Sequence, residues 1–334
     1  MNRIIFILKR LKNFNFKAMI KTARKISKKI KKPFIIIFID IVSCMVKYQA
    51  GYNDYLEFEF YLLNKEQRKT YLTAGINNNI IKKYNKKEYW HVLDDKVEFN
   101  YTFSKYLNRE WLDLRKAKED EFKEFVEKHP VVMVKPLDDC GGNGVEKIEI
   151  EDSAKYKELY NKLKENGQVL VEEFIYQHEK MNELYNKSVN TLRLFTILKE
   201  DKAYYLQGIL RIGNGGNVDN FSSGGMYTFV NNEGQVIVPA IDKEDLVYEV
   251  HPISNIKIVG FEIPFFNEAK ELVENAAKEI PQVAYIGWDV AITKDGPVII
   301  EGNCYPGVFQ IRPSFLEKKE GILPVYEKYM DIEK

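Results

Sequence analysis

Asp289, Glu301 and Asn303 are oxygen-bearing side chains set into two otherwise apolar β-type runs near the C-terminus. The runs are Gly287-Trp288-Asp289-Val290-Ala291-Ile292-Thr293 and Pro297-Val298-Ile299-Ile300-Glu301-Gly302-Asn303, joined by Lys294-Asp295-Gly296. A three-residue connection ending in glycine predicts a hairpin with Gly296 in the left-handed position. In that register Asp289 lies opposite Glu301, and Asn303, two residues on, shares its face. A two-residue loop shifts the pairing by one. Facing carboxylates repel, so either one of them takes up a proton or a divalent cation offsets the charge. Two carboxylates and an amide oxygen are hard donors, suited to Mg2+ bridged to substrate phosphates. The plainer alternative is a solvated hairpin face, but acids seldom interrupt strands this apolar.

Other segments carry groups that could hold phosphate. Lys135 stands late in the apolar run Val131-Val132-Met133-Val134-Lys135-Pro136, and Asp139-Cys140-Gly141-Gly142-Asn143-Gly144 follows. A glycine-rich hairpin tip can present successive backbone N–H groups to an anion. It is not a Walker loop, because no Gly-Lys-Ser/Thr follows, and it lacks the strand–helix setting of a dinucleotide fingerprint. Gln168 to Ile175 reads as a strand with Glu172 and Glu173 near its end. Alone, it is an edge strand with solvated acids. Asn190, Arg193 and Arg211 stand in or beside further strands; arginines on a buried face pair most often with phosphate or carboxylate. A loop rich in Gly, Asn and Ser, from Gly213 to Gly225, follows Arg211. It could close over an anionic ligand or be simply long and mobile.

The elements that must position these groups are mixed. β-rich runs are predicted at 131–137, 147–150, 168–175, 191–198, 203–212, 226–230, 284–293 and 297–301. Helical patterns occupy about 105–128, 153–165 and 267–280, with another after 313. Strands and helices without strict βαβ alternation indicate an α+β architecture. Residues 34–93 are mixed and aromatic, and their fold is not legible.

The 334 residues suffice for two or three domains, and a chain 45% hydrophobic and 30% charged reads as soluble and globular. Residues 1–33 contain twelve Lys or Arg and no acid, whereas the remainder carries 38 basic and 49 acidic residues. A free-standing basic arm on an acidic body is expected, with an anionic surface as partner. Ile4, Leu8, Leu11, Met19, Ala23, Ile26 and Ile30 recur at roughly helical spacing within it, ended by Lys32-Pro33. Two readings stand side by side: a helix packing this stripe on the body, and one lying on anionic lipid. The widely spaced Cys44, Cys140 and Cys304 argue against a disulfide framework or a zinc site, and fit a reducing cytoplasm. Ile4 to Leu8 is too short for a signal peptide. The run from Phe34 to Val46, broken by Asp40, is too short to span a membrane.

Taken in order, the strand lysine, glycine loop, acidic strand, arginine strands, Asn/Gly loop and acid hairpin resemble the ATP-grasp superfamily over roughly 90–315. Asn190-Thr191-Leu192-Arg193, Asp219-Asn220-Phe221 and Gly287-Trp288-Asp289 resemble its sugar-transfer associated members, found with surface-polysaccharide genes. The resemblance implies an ATP-grasp fold, two α+β subdomains clasping ATP. It suggests an arm at 1–33, an N-terminal lobe at 34–104, a lid subdomain at 105–178 and a catalytic subdomain at 179–330. It implies that Lys96 and Lys135 contact phosphate, that Gly141, Gly142 and Gly144 belong to the phosphate lid, and that Glu172, Glu173, Phe174 and Ile175 meet adenine. It further implies Arg193, Arg211 and Asn220 as substrate or γ-phosphate contacts. Asp289, Glu301 and Asn303 match the ligands of one or two Mg2+ ions, with Mn2+ an alternative. The ribose acid is ambiguous between Glu179 and Glu183.

Such enzymes convert a carboxylate to an acyl phosphate, which an amine or other nucleophile then captures. The needs are positioning and charge neutralisation rather than a protein nucleophile. The expected partners are ATP, a small-molecule or glycan-linked acceptor, and an anionic membrane surface reached through residues 1–33. A kinase on the same fold would use the same residues. A binding protein with a relic site is disfavoured by the intact Lys135, Asp289, Glu301 and Asn303. Nucleic acid is not expected, because the body shows no basic-aromatic surface. The expected location is cytoplasmic, at the inner membrane face if the arm binds lipid.

Overall fold

The computed structural model describes residues 15–136, 145–150, 155–216 and 218–332. Among them, the chain up to Asn79 and from Gly307 on forms one compact unit, and Ile80–Pro306 forms another.

The first unit is helical. Asn15 caps the helix Phe16–Ile30 by accepting from the Ala18 amide at 3.0 Å. Lys31 turns left-handed, and Pro33 precedes the next helix, Phe34–Lys47. The periodic residues Met19, Ala23 and Ile26 are buried against Ile37, Ile41, Cys44, Tyr55, Phe58 and Phe60. The expectation of a free-standing arm is therefore corrected for its described part. Burying large apolar side chains is worth about 1.5–3 kcal/mol each, and a core was available to take this stripe. Ile4, Leu8 and Leu11 lie outside the described residues. Asp40, the interruption in the apolar run, accepts from Arg68 Nη1 at 2.7 Å and from the Tyr55 hydroxyl at 2.6 Å. No helix among the described residues is long and apolar enough to cross a membrane. The C-terminal segment belongs here because buried Gln310 donates to the Leu72 carbonyl at 2.5 Å and accepts from its amide at 3.2 Å. The expected catalytic subdomain at 179–330 thus spans parts of both units.

The second unit holds two antiparallel sheets, so the α+β expectation holds. The smaller comprises β1 (Trp111–Asp113), β2 (Val131–Lys135), β3 (Glu146–Glu149) and β4 (Leu170–Glu173), in the order β1-β4-β2-β3. Helices Glu119–Lys128 and Tyr156–Glu165 cover it through Phe122, Phe125, Tyr160 and Leu163. The helix expected over 105–128 is thus interrupted by a strand. Asp113 accepts from the Arg115 side chain and amide, turning the chain before the helix begins.

The larger sheet comprises β5 (Leu192–Lys199), β6 (Lys202–Ile212), β7 (Met226–Val230), β8 (Ala240–Asp242), β9 (Val247–Tyr248), β10 (Tyr285–Thr293) and β11 (Gly296–Asn303). Their order is β11-β10-β5-β6-β7-β8-β9. β5 and β10, paired interior strands, are buried along nearly their whole length, which is why both read as continuous apolar runs. The helix Phe266–Ala276 packs on this sheet through Phe266, Ala269, Val273 and Ala276.

Candidate active site

The β10–β11 hairpin turns on two residues, not three. Thr293 pairs with Gly296, whose φ of 124° suits only glycine. That register alone would place Ile300 opposite Asp289. A β-bulge between Asp289 and Val290 on β10 and Ile299 and Glu301 on β11 leaves Ile300 as the extra residue and restores Asp289 opposite Glu301. The expected pairing is present, by a different route from the expected loop.

Asp289 is buried and engaged. Arg193, its neighbour on β5, grips it with both Nε and Nη2, and Arg211 Nη1 donates to its Oδ2 at 3.0 Å. Burial would raise the Asp289 acid, but the Arg193 and Arg211 charges outweigh it and hold the acid well below the usual carboxylate range. A Cβ on Gly287 would lie 3.1 Å from Arg193 Cδ and 2.6 Å from Pro306 Cβ, so this glycine makes room for the arginine. Glu301 differs: its side chain is 49% exposed. The surrounding protein and then the Asp289 charge, with a carboxyl–carboxylate hydrogen bond, push it up to about 7. Asn303 donates from Nδ2 towards Glu301 Oε1 and the Gly287 carbonyl, each at 3.3 Å, so its Oδ1 is the atom that could ligate a cation.

This oxygen set is of the kind that suits a divalent cation: Glu301 and Asn303 Oδ1 would ligate it, and Asp289, whose oxygens accept from two arginines, would add its charge. Among the described residues no group of three His, Cys, Asp or Glu could hold a metal, so the amide is needed to complete the set.

The second cluster centres on Glu172, fully buried in β4. Lys135 pairs with it from β2, Arg109 Nη2 donates at 2.8 Å, and Asn100 Nδ2 donates at 2.8 Å. Burial opposes ionisation, but the Arg109 and Lys135 charges prevail and hold Glu172 far below its ordinary value. Its side chain is thus committed to protein partners, so any contact with adenine falls to backbone. Glu173 accepts from the Glu110 amide at 3.1 Å, and Phe174 and Ile175, half-buried, continue the chain beyond β4. Lys96 Nζ donates to the Pro136 carbonyl at 3.0 Å, which brings it to the end of the strand bearing Lys135. Gly141, Gly142 and Gly144 lie outside the described residues. Glu179 and Glu183 are both exposed on the helix Glu179–Leu184, so neither is singled out.

Arg211 precedes the Asn/Gly loop and Asn220 stands within it. Asn220 stands before a short 3-10 turn and accepts from the Ser223 and Gly225 amides through its carbonyl. Asp219 was not among the expected site residues. It accepts from the Thr191 amide at 2.8 Å and hydroxyl at 2.5 Å, tying the loop to the start of β5. Asn190 is an anchor: it donates to the Met181 and Tyr185 carbonyls and accepts from the Gly213 amide.

Arg109 was also missed. Besides Glu172, it donates from Nη1 to the carbonyl of Ile299 at 2.6 Å, beside the bulge. One guanidinium therefore joins the small sheet to the strand segment that sets the Asp289–Glu301 register. Its partners lie 63 and 190 residues further on, beyond any spacing rule.

A family model described as sugar-transfer associated ATP-grasp matches residues 75–324. The chain belongs to this family and has its ATP-grasp fold. No curated protein matches the sequence. Among solved structures, the ATP-grasp ligase PsnB complexed with minimal precursor is similar at 13% identity and a TM-score of 0.40, covering 74% of this chain and 62% of that one. D-alanyl-alanine synthetase A from Vibrio cholerae O1 biovar eltor is similar at 14% and 0.42, covering 76% and 71%. N5-carboxyaminoimidazole synthase from Aspergillus clavatus is similar at 13% and 0.36, covering 64% and 44%. This chain thus spans less than two thirds of PsnB. The family membership rests on the match to residues 75–324.

Proposed function

We propose that this sugar-transfer associated ATP-grasp protein uses ATP and Mg2+ to activate a carboxylate as an acyl phosphate and to join it to an amine or other nucleophile. The observation that carries this reading is the facing pair Asp289 and Glu301, with Arg193 and Arg211 against it and Asn303 beside it. A donor carboxylate oxygen attacks the γ-phosphorus, and the bond from γ-phosphorus to the bridging oxygen breaks with its electrons leaving on ADP. The nucleophile then attacks the acyl carbon, phosphate departs, and the nucleophile's proton passes to solvent. A Mg2+ ion held by Asp289, Glu301 and Asn303 would supply positive charge to the phosphates. Lys96 and Lys135 neutralise phosphate, Arg211 steadies the γ-phosphate or donor carboxylate, and Arg193 keeps Asp289 ionised and oriented. Lys135 must leave or share Glu172 to do so, and Arg109 and Asn100 remain to hold that carboxylate.

The family's association with sugar transfer supports a role in cell-surface polysaccharide biosynthesis or modification, and the acceptor in this reading is a small molecule or glycan-linked. Mass spectrometry of ATP turnover with a panel of amino acids and sugar acids tests the reading. ADP, phosphate and a condensed product are expected; a phosphoester without phosphate release would make the protein a kinase.

A further inference from the structure

The helix Phe34–Lys47 is apolar on both sides. Ile37, Ile41 and Cys44 face the core. On the opposite side Ile35, Ile39, Val42 and Val46, at i, i+4, i+7 and i+11, form one stripe along the helix and are 57%, 60%, 40% and 67% exposed; Ile36 beside them is 54% exposed. A helix on the surface of a water-soluble unit ordinarily carries polar residues on that side. A continuous exposed row of β-branched aliphatics marks a contact surface.

The charge beside the stripe identifies its partner. From Lys17 to Lys32 every charged residue is basic. Lys17, Lys21, Arg24, Lys25 and Lys28 line one face of the preceding helix with Ile20. Arg24 lies over the Phe34 ring at 5.8 Å, one residue from the start of the stripe, and exposed Lys31 and Lys32 lead directly into it. Asp40, the one acid on the apolar helix, is neutralised by Arg68. An aliphatic ridge adjoining a basic face is the chemistry of a surface that dips into the headgroup boundary of an anionic bilayer.

We propose that the Ile35–Ile39–Val42–Val46 ridge, with the basic face of the helix Phe16–Ile30, docks this protein on an anionic lipid surface without spanning it. The ridge inserts among acyl chains while the lysines meet lipid phosphates. The buried stripe Met19, Ala23 and Ile26 takes no part. This docking is independent of the chemistry proposed above, because no residue of the ridge belongs to the ATP site.

Sedimentation of the full chain with vesicles tests it. Binding to vesicles containing phosphatidylglycerol is expected, with at least about tenfold weaker binding to pure phosphatidylcholine and release in high salt. Ile39→Gln with Val46→Gln should lower partitioning about tenfold or more, as should Lys21→Gln with Lys25→Gln. All four positions are exposed, so the melting temperature and ATP turnover with a soluble acceptor should be retained. Full binding by the Ile39→Gln, Val46→Gln variant, or no binding by the unaltered chain, would overturn the proposal. So would a dimer of the unaltered chain that the same variant dissociates, since the ridge would then be covered by a second copy.

Discussion

Asp289 and Glu301 face each other across β10 and β11 because a bulge at Ile300 cancels the shift that the two-residue turn introduces. The bulge is steadied by Arg109, which donates to the Ile299 carbonyl and pairs with Glu172. The two acids have unlike surroundings. Asp289 is clamped by two arginines, whereas Glu301 is half exposed with its acid shifted to about 7.

That contrast separates two substitutions. Glu301→Gln should abolish Mg2+-dependent ATP turnover and leave the urea midpoint within error. Asp289→Asn should abolish turnover and also cost about 1–3 kcal/mol, because buried Arg193 loses a charged partner. Full turnover in Glu301→Gln would remove that residue from the site.

Arg109→Met deletes the donor that serves both Glu172 and the bulge. Removing one partner of a buried pair costs about 3–5 kcal/mol. Turnover should fall even in temperature ranges where the variant remains folded, since Glu301 would lose its register. Circular dichroism melting together with turnover at low temperature checks both parts; unaltered turnover in the folded variant would show that the bulge holds without Arg109.

Lys135→Ala should weaken ATP binding by about 1.5–3 kcal/mol, the worth of a charge-assisted contact. Calorimetry reads this as a dissociation constant roughly ten- to a hundredfold higher. An unaltered constant would mean that Lys135 serves only Glu172.

His251 gives a pH dependence of known sign. It is buried; Nε2 donates to the Gly213 carbonyl at 2.9 Å and Nδ1 accepts from the Ile253 and Ser254 amides. Burial lowers its pKa despite the Gly213 contact. The unfolded chain therefore binds the proton more readily, near pH 6.5. The stabilisation is full above that value and is lost as pH falls through the folded value, at no more than about 1.4 kcal/mol per pH unit. His251→Asn, which keeps an acceptor towards those amides, should show a shallower loss of stability between pH 7 and 5. Equal slopes for the two proteins would deny the linkage.

Much of this site is legible because its residues interrupt apolar strands. Asp289, Arg193 and Glu172 are conspicuous as charges in runs of Val, Ile and Leu, and period-two alternation places Asn303 on the face of Glu301. Arg109, Asn100 and Asp219 are not legible in this way. They sit in short elements or loops, and their roles come from partners made adjacent only by packing. The bulge escapes for the same reason: nothing in Val298-Ile299-Ile300-Glu301 distinguishes the residue that leaves the ladder. The arm misleads because a periodic apolar stripe flanked by lysines satisfies both a protein core and a lipid surface. Only the burial of Met19, Ala23 and Ile26 decides between them.

The most direct test of the proposed chemistry is trapping with hydroxylamine. ATP, Mg2+, hydroxylamine and the panel of candidate carboxylates are incubated with the protein, and products are read by mass spectrometry. A hydroxamate of one donor, formed with one ADP and one phosphate and absent with Glu301→Gln, is the expected result. ADP formed together with a stable phosphoester and no hydroxamate, under any donor, would contradict the acyl phosphate.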